Sequence, residues 1–249
     1  MAKRYTNGVT DISGGNPMGN IAVMDPRKYS VYHEDFNHFS VGVGAGTSSG
    51  WAAGYSLSPS ADATISIVTD AGATGPCLKQ AIVNQATSYS RVQVGTGGII
   101  LASGKKAFME TKFELTAATL SSHFFAIGMC TEVVAGDATA INDKTNWLAD
   151  DSWMWFKELA NGDLYLRSGE NDVNVDQSIR AVPVTATWYK LSCYFDGTVM
   201  YHYVDNVLVA VNTPATIPVT PCAPIMMVQT KKAEACVMLV DYLTIITEL

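Results

Sequence analysis

The chain has 249 residues, 48% of them hydrophobic, and 16 basic against 23 acidic side chains give a formal charge of −7. That length supports one large all-β domain or two small ones, and such a chain buries roughly 70–75% of its unfolded surface without needing disulfides or a metal. The acidic balance excludes a general nucleic-acid binder, which needs a basic stripe, and argues against docking on an anionic membrane.

Residues 1–26 are polar and glycine-rich, with isolated apolar side chains at Met18, Ile21, Val23 and Met24. The basic start "MAKR" is followed by no apolar core, so no secretory signal is expected. No apolar run approaches the ~18 residues of a membrane span. The profile predicts an extended N-terminal arm with little capacity for a core of its own. It is either a disordered tail or a segment that orders on a neighbouring subunit. In the second case Met18, Ile21, Met24 and the adjacent Tyr29 are the partner contacts.

The next stretch, "SVYHEDFNHF" (30–39), lies one residue away from the His-Glu-x-x-His zinc motif. That motif needs its histidines at i and i+4, so that both imidazoles leave one helical face. His33 and His38 are five apart, about 140° on a helix and on opposite faces of a strand. Tyr29, Val31, Tyr32, Phe36 and Phe39 are strand formers. An aromatic strand opening a domain at residues 27–249 is expected, with no catalytic or metal-ligating histidine.

Short strands with turn signals follow. "WAAGYSLS", "ATISIVTD", "YSRVQV" and "GIILAS" come first, then "KKAFMETKFELT", where Met109, Thr111, Phe113 and Leu115 share one face. Phe108, Glu110, Lys112 and Glu114 take the other, the alternation of a half-buried strand. "SSHFFAIGMC", "SWMWFKE" and "DLYLRSG" continue the pattern, with Asn161-Gly162 as a hairpin signal between the last two. In "TWYKLSCYFDGTVMYHYVDNVLVAVN", Asp196-Gly197 and Asp205-Asn206 tolerate the positive φ that tight hairpins require. The closing "ACVMLVDYLTIITEL" is apolar on both faces, as a central strand is. Helix-like runs are brief, around "LKQAIVNQ" and "INDKTNWLAD". The pattern predicts an all-β antiparallel sandwich.

Little of the sequence carries chemistry. "GVGAGTSSG" (42–50) lacks the spacing of a dinucleotide loop, and no Gly-Lys-Ser/Thr occurs. No Gly-x-Ser-x-Gly nucleophile motif is present. Sugar hydrolases on such sandwiches place paired carboxylates along one strand face. Glu110 and Glu114 share a face, but Lys112 between them neutralises the pair, the opposite of what a general acid needs. Trp153 and Trp155 share a face, either in the core or as an aromatic platform for a sugar; Tyr201 and Tyr203 are a second candidate platform. Asp150, Asp151, Asp163, Glu170, Asp172 and Asp176 offer hard oxygen ligands, but without calcium-loop spacing they read as a solvated acidic loop. The five cysteines are odd in number and scattered, with no C-x-x-C pair; Cys130, Cys193 and Cys236 lie in apolar strands. They point to a reducing cytoplasm, and no catalytic residue, cofactor site or metal site is assigned.

The segment "WYKLSCYFDGTVMYHYVDNVLV" resembles the late strands of concanavalin-like and laminin-G-like jelly rolls, with Asn206 where glycine is usual. The wider layout is similar to a family of tailed-bacteriophage virion proteins. The matching elements are "MDPRKYSVYHEDF", "GKKAFMETKFELT", "DGTVMYHYVDNVLV" and the final "VDYLTI". The resemblance implies a non-enzymatic capsid decoration (cement) protein on the outer surface of the virion, assembled in the host bacterial cytoplasm. It implies the major capsid protein as partner and a homo-oligomer, a trimer first of all, with no role for nucleic acid or membrane. The Pro-rich "TPATIPVTPCAP" (213–224) has no counterpart in that pattern. The alternative reading is a carbohydrate-binding module on a phage appendage.

Overall fold

A computed structural model describes residues 3–4, 10–11, 28–36, 42–43, 50–52, 55–83, 88–94, 98–117, 119, 123–131, 151–157, 163–170, 173–180 and 185–249. Its strands, in chain order, begin with β1 (Lys3–Arg4), β2 (Thr10–Asp11), β3 (Tyr29–Glu34), β4 (Gly42–Val43), β5 (Gly50–Ala52) and β6 (Tyr55–Pro59). Next come β7 (Ala63–Thr69), β8 (Pro76–Ile82), β9 (Tyr89–Val94), β10 (Ala107–Ala117), β11 (His123–Cys130) and β12 (Ser152–Lys157). The last seven are β13 (Leu164–Glu170), β14 (Val173–Arg180), β15 (Trp188–Phe195), β16 (Met200–Val204), β17 (Val207–Asn212), β18 (Ala223–Thr230) and β19 (Cys236–Glu248). Among the described residues there is no helix.

The strands form two large antiparallel sheets. One runs β17-β16-β15-β10-β19-β8-β7-β4, and the other β14-β13-β12-β11-β18-β9-β6-β5. β19 organises the first. β10 pairs along one of its edges from Cys236 to Thr247. The opposite edge is shared end to end by β8, over Cys236–Val240, and β3, over Leu243–Glu248. The β10 register slips between Lys112 and Phe113, so Asp241 is an extra residue bulged out of β19. In the N-terminal segment, β1 and β2 pair with each other; Met18, Ile21 and Met24 lie outside the described residues.

The core lies between the sheets. Met109, Phe113 and Leu115 of β10 meet Phe125 and Ile127 of β11, and the Phe113 and Phe125 rings are 4.8 Å apart. The expected alternation in β10 is present: its odd-numbered residues are buried and its even-numbered ones reach toward solvent. Both late hairpins form as expected, with φ of 103° at Gly197, 51° at Asp205 and 67° at Asn206. Asp196 Oδ1 accepts the Thr198 and Val199 amides at 2.9 and 2.7 Å, fixing the first of them. "SVYHEDF" opens the sandwich: Tyr32 packs on the core and Phe36 enters it, while His33 stays at the surface. His38 and the Asn161-Gly162 turn lie outside the described residues.

Three expectations are corrected. "LKQAI" is strand, because β8 is held on both sides by β7 and β19 and buries Leu78, Gln80 and Ile82. Tertiary pairing overrides the local helix preference, and Gln80 spans the core to donate to the Met226 carbonyl at 3.0 Å. "GIILAS" is not a strand; it contributes an isolated bridge from Ile99 to Cys222. Asp151 does not sit in a solvated loop. It is buried, and its Oδ2 accepts the amides of Val219 and Thr220 at 2.8 and 2.9 Å, which pins the Pro-rich segment. The other helix-like stretch, 141–150, is outside the described residues.

Candidate functional site on the outer face of the β19 sheet

Pairing registers place the outward side chains of this sheet in rows that cross it. One row runs Val211, Tyr201, Tyr194, Phe108, Ile246, Val31 over six strands, about 24 Å at ~4.8 Å per strand. Two residues along each strand, but three along the bulged β17, the row becomes Leu208, Tyr203, Ser192, Glu110, Thr244, His33. The face is therefore aromatic and aliphatic at one end and polar at the other.

The polar end is one connected network. Glu110 accepts from Ser192 Oγ at 2.8 Å and Tyr242 OH at 2.7 Å, and pairs with Lys190 Nζ at 3.1 Å. Burial first, and then the Glu110 charge, push the Tyr242 hydroxyl well above its usual range. His33 Nδ1 lies 2.7 Å from Thr244 Oγ1. Beside this, the bulged Asp241 pairs with Lys112 at 3.3 Å and accepts from the amide and hydroxyl of Thr74, each at 3.0 Å. Lys112 Nζ also donates to the Gly72 carbonyl and sits 5.2 Å from the Trp188 ring centroid. The indole of Trp188 donates to Asp70 at 3.1 Å. It lies so close on the 70–75 loop that a Cβ on Gly72 would come within 2.0 Å of it. His33, Asp35, Thr74, Gly75, Asp241 and Tyr242 line a cleft of about 260 Å³ at the point where β8 and β3 both stop short on β19.

Glu110 and Glu114 do not share Lys112, contrary to the sequence expectation. Residues i and i+2 of a strand are farther apart than cross-strand neighbours, so Lys112 finds Asp241 and Glu110 finds Lys190. The sequence reading assigns no role to Asp241 or Trp188, although a carboxylate inside the apolar "MLVDYLTI" is a visible signal.

The opposite sheet differs. Its outward face carries buried Phe124, Ala126, Met154, Phe156, Ile225 and Met227, with the Arg167 guanidinium 5.0 Å over the Phe156 ring. Strands β9, β11, β12 and β18 supply no Asp or Glu to either face.

The expected sugar platform at Trp153 and Trp155 is corrected: both indoles are fully buried between the sheets and offer no surface to a ligand. Tyr203 is also buried; Tyr201 is half-buried and stacks on Tyr194 at 5.9 Å. Tyr29 is built into β3, packs against the Tyr194–Tyr203–Ile246 cluster, and has its hydroxyl pushed up by burial and by Glu248. Among the described residues no three His, Cys, Asp or Glu side chains gather as metal ligands.

All five cysteines are free and buried. Burial pushes the Cys77 thiol up to about 11 and those of Cys222 and Cys236 to about 12, with Cys130 and Cys193 also raised. Thiols held protonated are poor nucleophiles. A folded-state pKa above the unfolded 9 means that the native state keeps protons the unfolded chain loses. The stability these thiols contribute is complete below pH 9 and drains away as pH rises toward 11–12. Buried Lys157, lowered to about 8, works in the opposite sense between pH 8 and 10.5, but it is one group against five. The denaturation midpoint is expected to fall as pH rises from about 9 to about 11, and a thiol reagent should label no cysteine until the protein unfolds.

Fold and faces together define a concanavalin-like jelly roll. No protein-family model matches the sequence, and no curated protein matches it. Among solved structures it is similar to a protein of unknown function from Shewanella oneidensis, with a TM-score of 0.57 and 14% identity over 89% of this chain and 87% of that one. It is similar to the Emp47p carbohydrate recognition domain, with a TM-score of 0.53 and 12% identity over 90% of this chain and 98% of that one. A Bacteroides ovatus mixed-linkage glucan GH16 protein in complex with a G4G4G3G product gives 0.53 and 13% over 86% and 99%. At these identities the likeness is one of fold.

Proposed function

We propose that this chain is a non-enzymatic structural protein of a tailed-phage virion, a capsid decoration protein that binds the outer head shell and stabilises it by bridging capsid subunits. The observation that carries the reading is the placement of β3. It locks the chain at Tyr29–Glu34 onto the central strand of a sheet, and Leu249 N donates to the Lys28 carbonyl at 2.7 Å. Residues 1–26 are thereby tethered to a rigid platform. Met18, Ile21 and Met24 supply apolar side chains that would order on the major capsid protein, and contacts repeated over a homo-oligomer add by avidity. The sequence resemblance to phage virion proteins points the same way. The lysine-compensated carboxylates Glu110 and Asp241 and the protonated thiols support binding in preference to turnover.

The test is cosedimentation of the purified chain with undecorated phage heads. Saturable binding is expected, and deletion of residues 1–26 should abolish it while leaving the unfolding transition of the sandwich in place. Absence of binding by the full chain overturns the decoration role. Normal binding by the truncated chain overturns the arm mechanism alone.

A second reading, a carbohydrate-binding module on a phage appendage, is favoured by the half-buried Trp188 beside the Asp241 cleft. It predicts glycan-dependent quenching of tryptophan fluorescence that is lost on replacing Trp188.

A further inference from the structure

The outward row Val211, Tyr201, Tyr194, Phe108, Ile246, Val31 carries no charged side chain, although Glu110 and Lys190 border it on one side. Its middle is filled, since Tyr194 and Ile246 pack with Tyr203 and are each 2% exposed. Apolar surface remains along the rest. Val31 and Val211 are 46% and 52% exposed at its two ends, and Phe108 and Tyr201 are half-buried between them. The chain enters the sandwich at the Val31 end. Tyr29 packs against the same aromatic cluster, and the Lys28 carbonyl accepts the Leu249 amide at 2.7 Å. Residues 12–27, which immediately precede this point, lie outside the described residues. From Ile12 to Met24 their sequence, "ISGGNPMGNIAVM", also has no charged residue, and Met18, Ile21 and Met24 recur in it at every third position.

We propose that this row is the docking surface of the chain's own N-terminal arm, with Met18, Ile21 and Met24 laid across the strands of the sheet that the arm enters. Three observations select this occupant. The first is pitch. A three-residue repeat puts Met18, Ile21 and Met24 on one face of a polyproline-II segment, about 9.3 Å apart at about 3.1 Å per residue. Two strand spacings are about 9.6 Å, so successive arm side chains meet every second strand and together cover ~19 Å of the ~24 Å row. Gly14, Gly15, Pro17 and Gly19 oppose a helix over the same stretch. The second is position. Residues 25–28 alone separate Met24 from Tyr29, and Asp25-Pro26 among them is a turn signal that lets the chain double back over the face. A linker that short holds the arm at an effective concentration in the millimolar range. The third is charge. A second copy brings another −7 and is repelled, whereas an uncharged tethered segment meets an uncharged row without opposition. Docking in this way covers the arm's apolar side chains until a partner takes them up.

The inference goes beyond head binding, and its test contains no heads. A nitroxide is attached to Asn20→Cys in the full chain, whose five native cysteines are buried, and amide line broadening is read by NMR. The amides of Val31, Phe108, Tyr194 and Tyr201 are expected to broaden, to the same extent at every protein concentration. Changing Met18, Ile21 and Met24 together to serine should abolish the broadening and leave the sandwich folded. Isotope-enriched chain without the nitroxide, mixed with nitroxide-bearing chain of natural isotopic composition, should show none. Absence of broadening in the full chain, broadening confined to other surfaces, or broadening that survives the three serines overturns the proposal. Broadening in the mixed sample overturns it as well, and assigns the row to the arm of a second copy. The decoration role stands or falls separately, because an arm that never rests on its own sheet can still order on a capsid protein.

Discussion

Replacing Trp155 with alanine is expected to lower the unfolding free energy by about 3–5 kcal/mol, the range for truncating a large buried aromatic. The indole has no exposed surface and sits on β12 between its register partners Ile127 and Leu166, facing the β10 side of the core. Close packing on every side prevents the cavity from collapsing. Trp155→Phe should cost less than half as much. It keeps a ring in the space and removes an indole N–H that finds no acceptor in the core. Denaturant midpoints for the two variants check this. If Trp155→Ala kept wild-type stability and lost a glycan response instead, the indole would be a ligand platform and its buried placement would be wrong.

Asp241→Ala is the second large effect, at about 2–4 kcal/mol. Removing one member of a buried ion pair costs about 3–5 kcal/mol because the other charge is left uncompensated. Here the loss is moderated because the Lys112 side chain keeps 21% exposure, against 2% for Asp241. The Thr74 amide and hydroxyl lose their acceptor as well, which loosens the 70–75 loop under Trp188. Adding Lys112→Met should restore part of the stability, since the stranded charge goes with it. A double-mutant cycle with no coupling between the two positions, or a single-variant loss below about 0.5 kcal/mol, would contradict the pairing.

The sequence made some of this legible and hid the rest for physical reasons. β10 announces itself because one of its faces is wet, so its alternation reports which residues go inward. β12 does not: Ser152–Lys157 is buried throughout, with Trp153 and Trp155 in the core between the sheets and Met154 and Phe156 in a second apolar cluster on the other face. Parity shows that Trp153 and Trp155 share a face but not which face it is. The hairpins at Asp196-Gly197 and Asp205-Asn206 were readable because positive φ restricts the residue choice locally. The pairings of Lys112 with Asp241 and of Asp151 with the 219–220 backbone join residues 129 and 68 positions apart or more in the chain, on the order of many loop lengths, and no local pattern encodes them. The bulge that turns Asp241 toward Lys112 likewise depends on the register between two strands.

β19 has a consequence for how the molecule is made. β3, β8 and β10 are all synthesised before it, and none of the three is paired with another of them. Until residues 236–248 leave the ribosome, the nascent chain holds three strands with open edges and no centre for one of its sheets. Such edges are where growing chains aggregate or are captured by chaperones. Translation that stops before β19 should therefore yield an insoluble fragment in place of a smaller folded one.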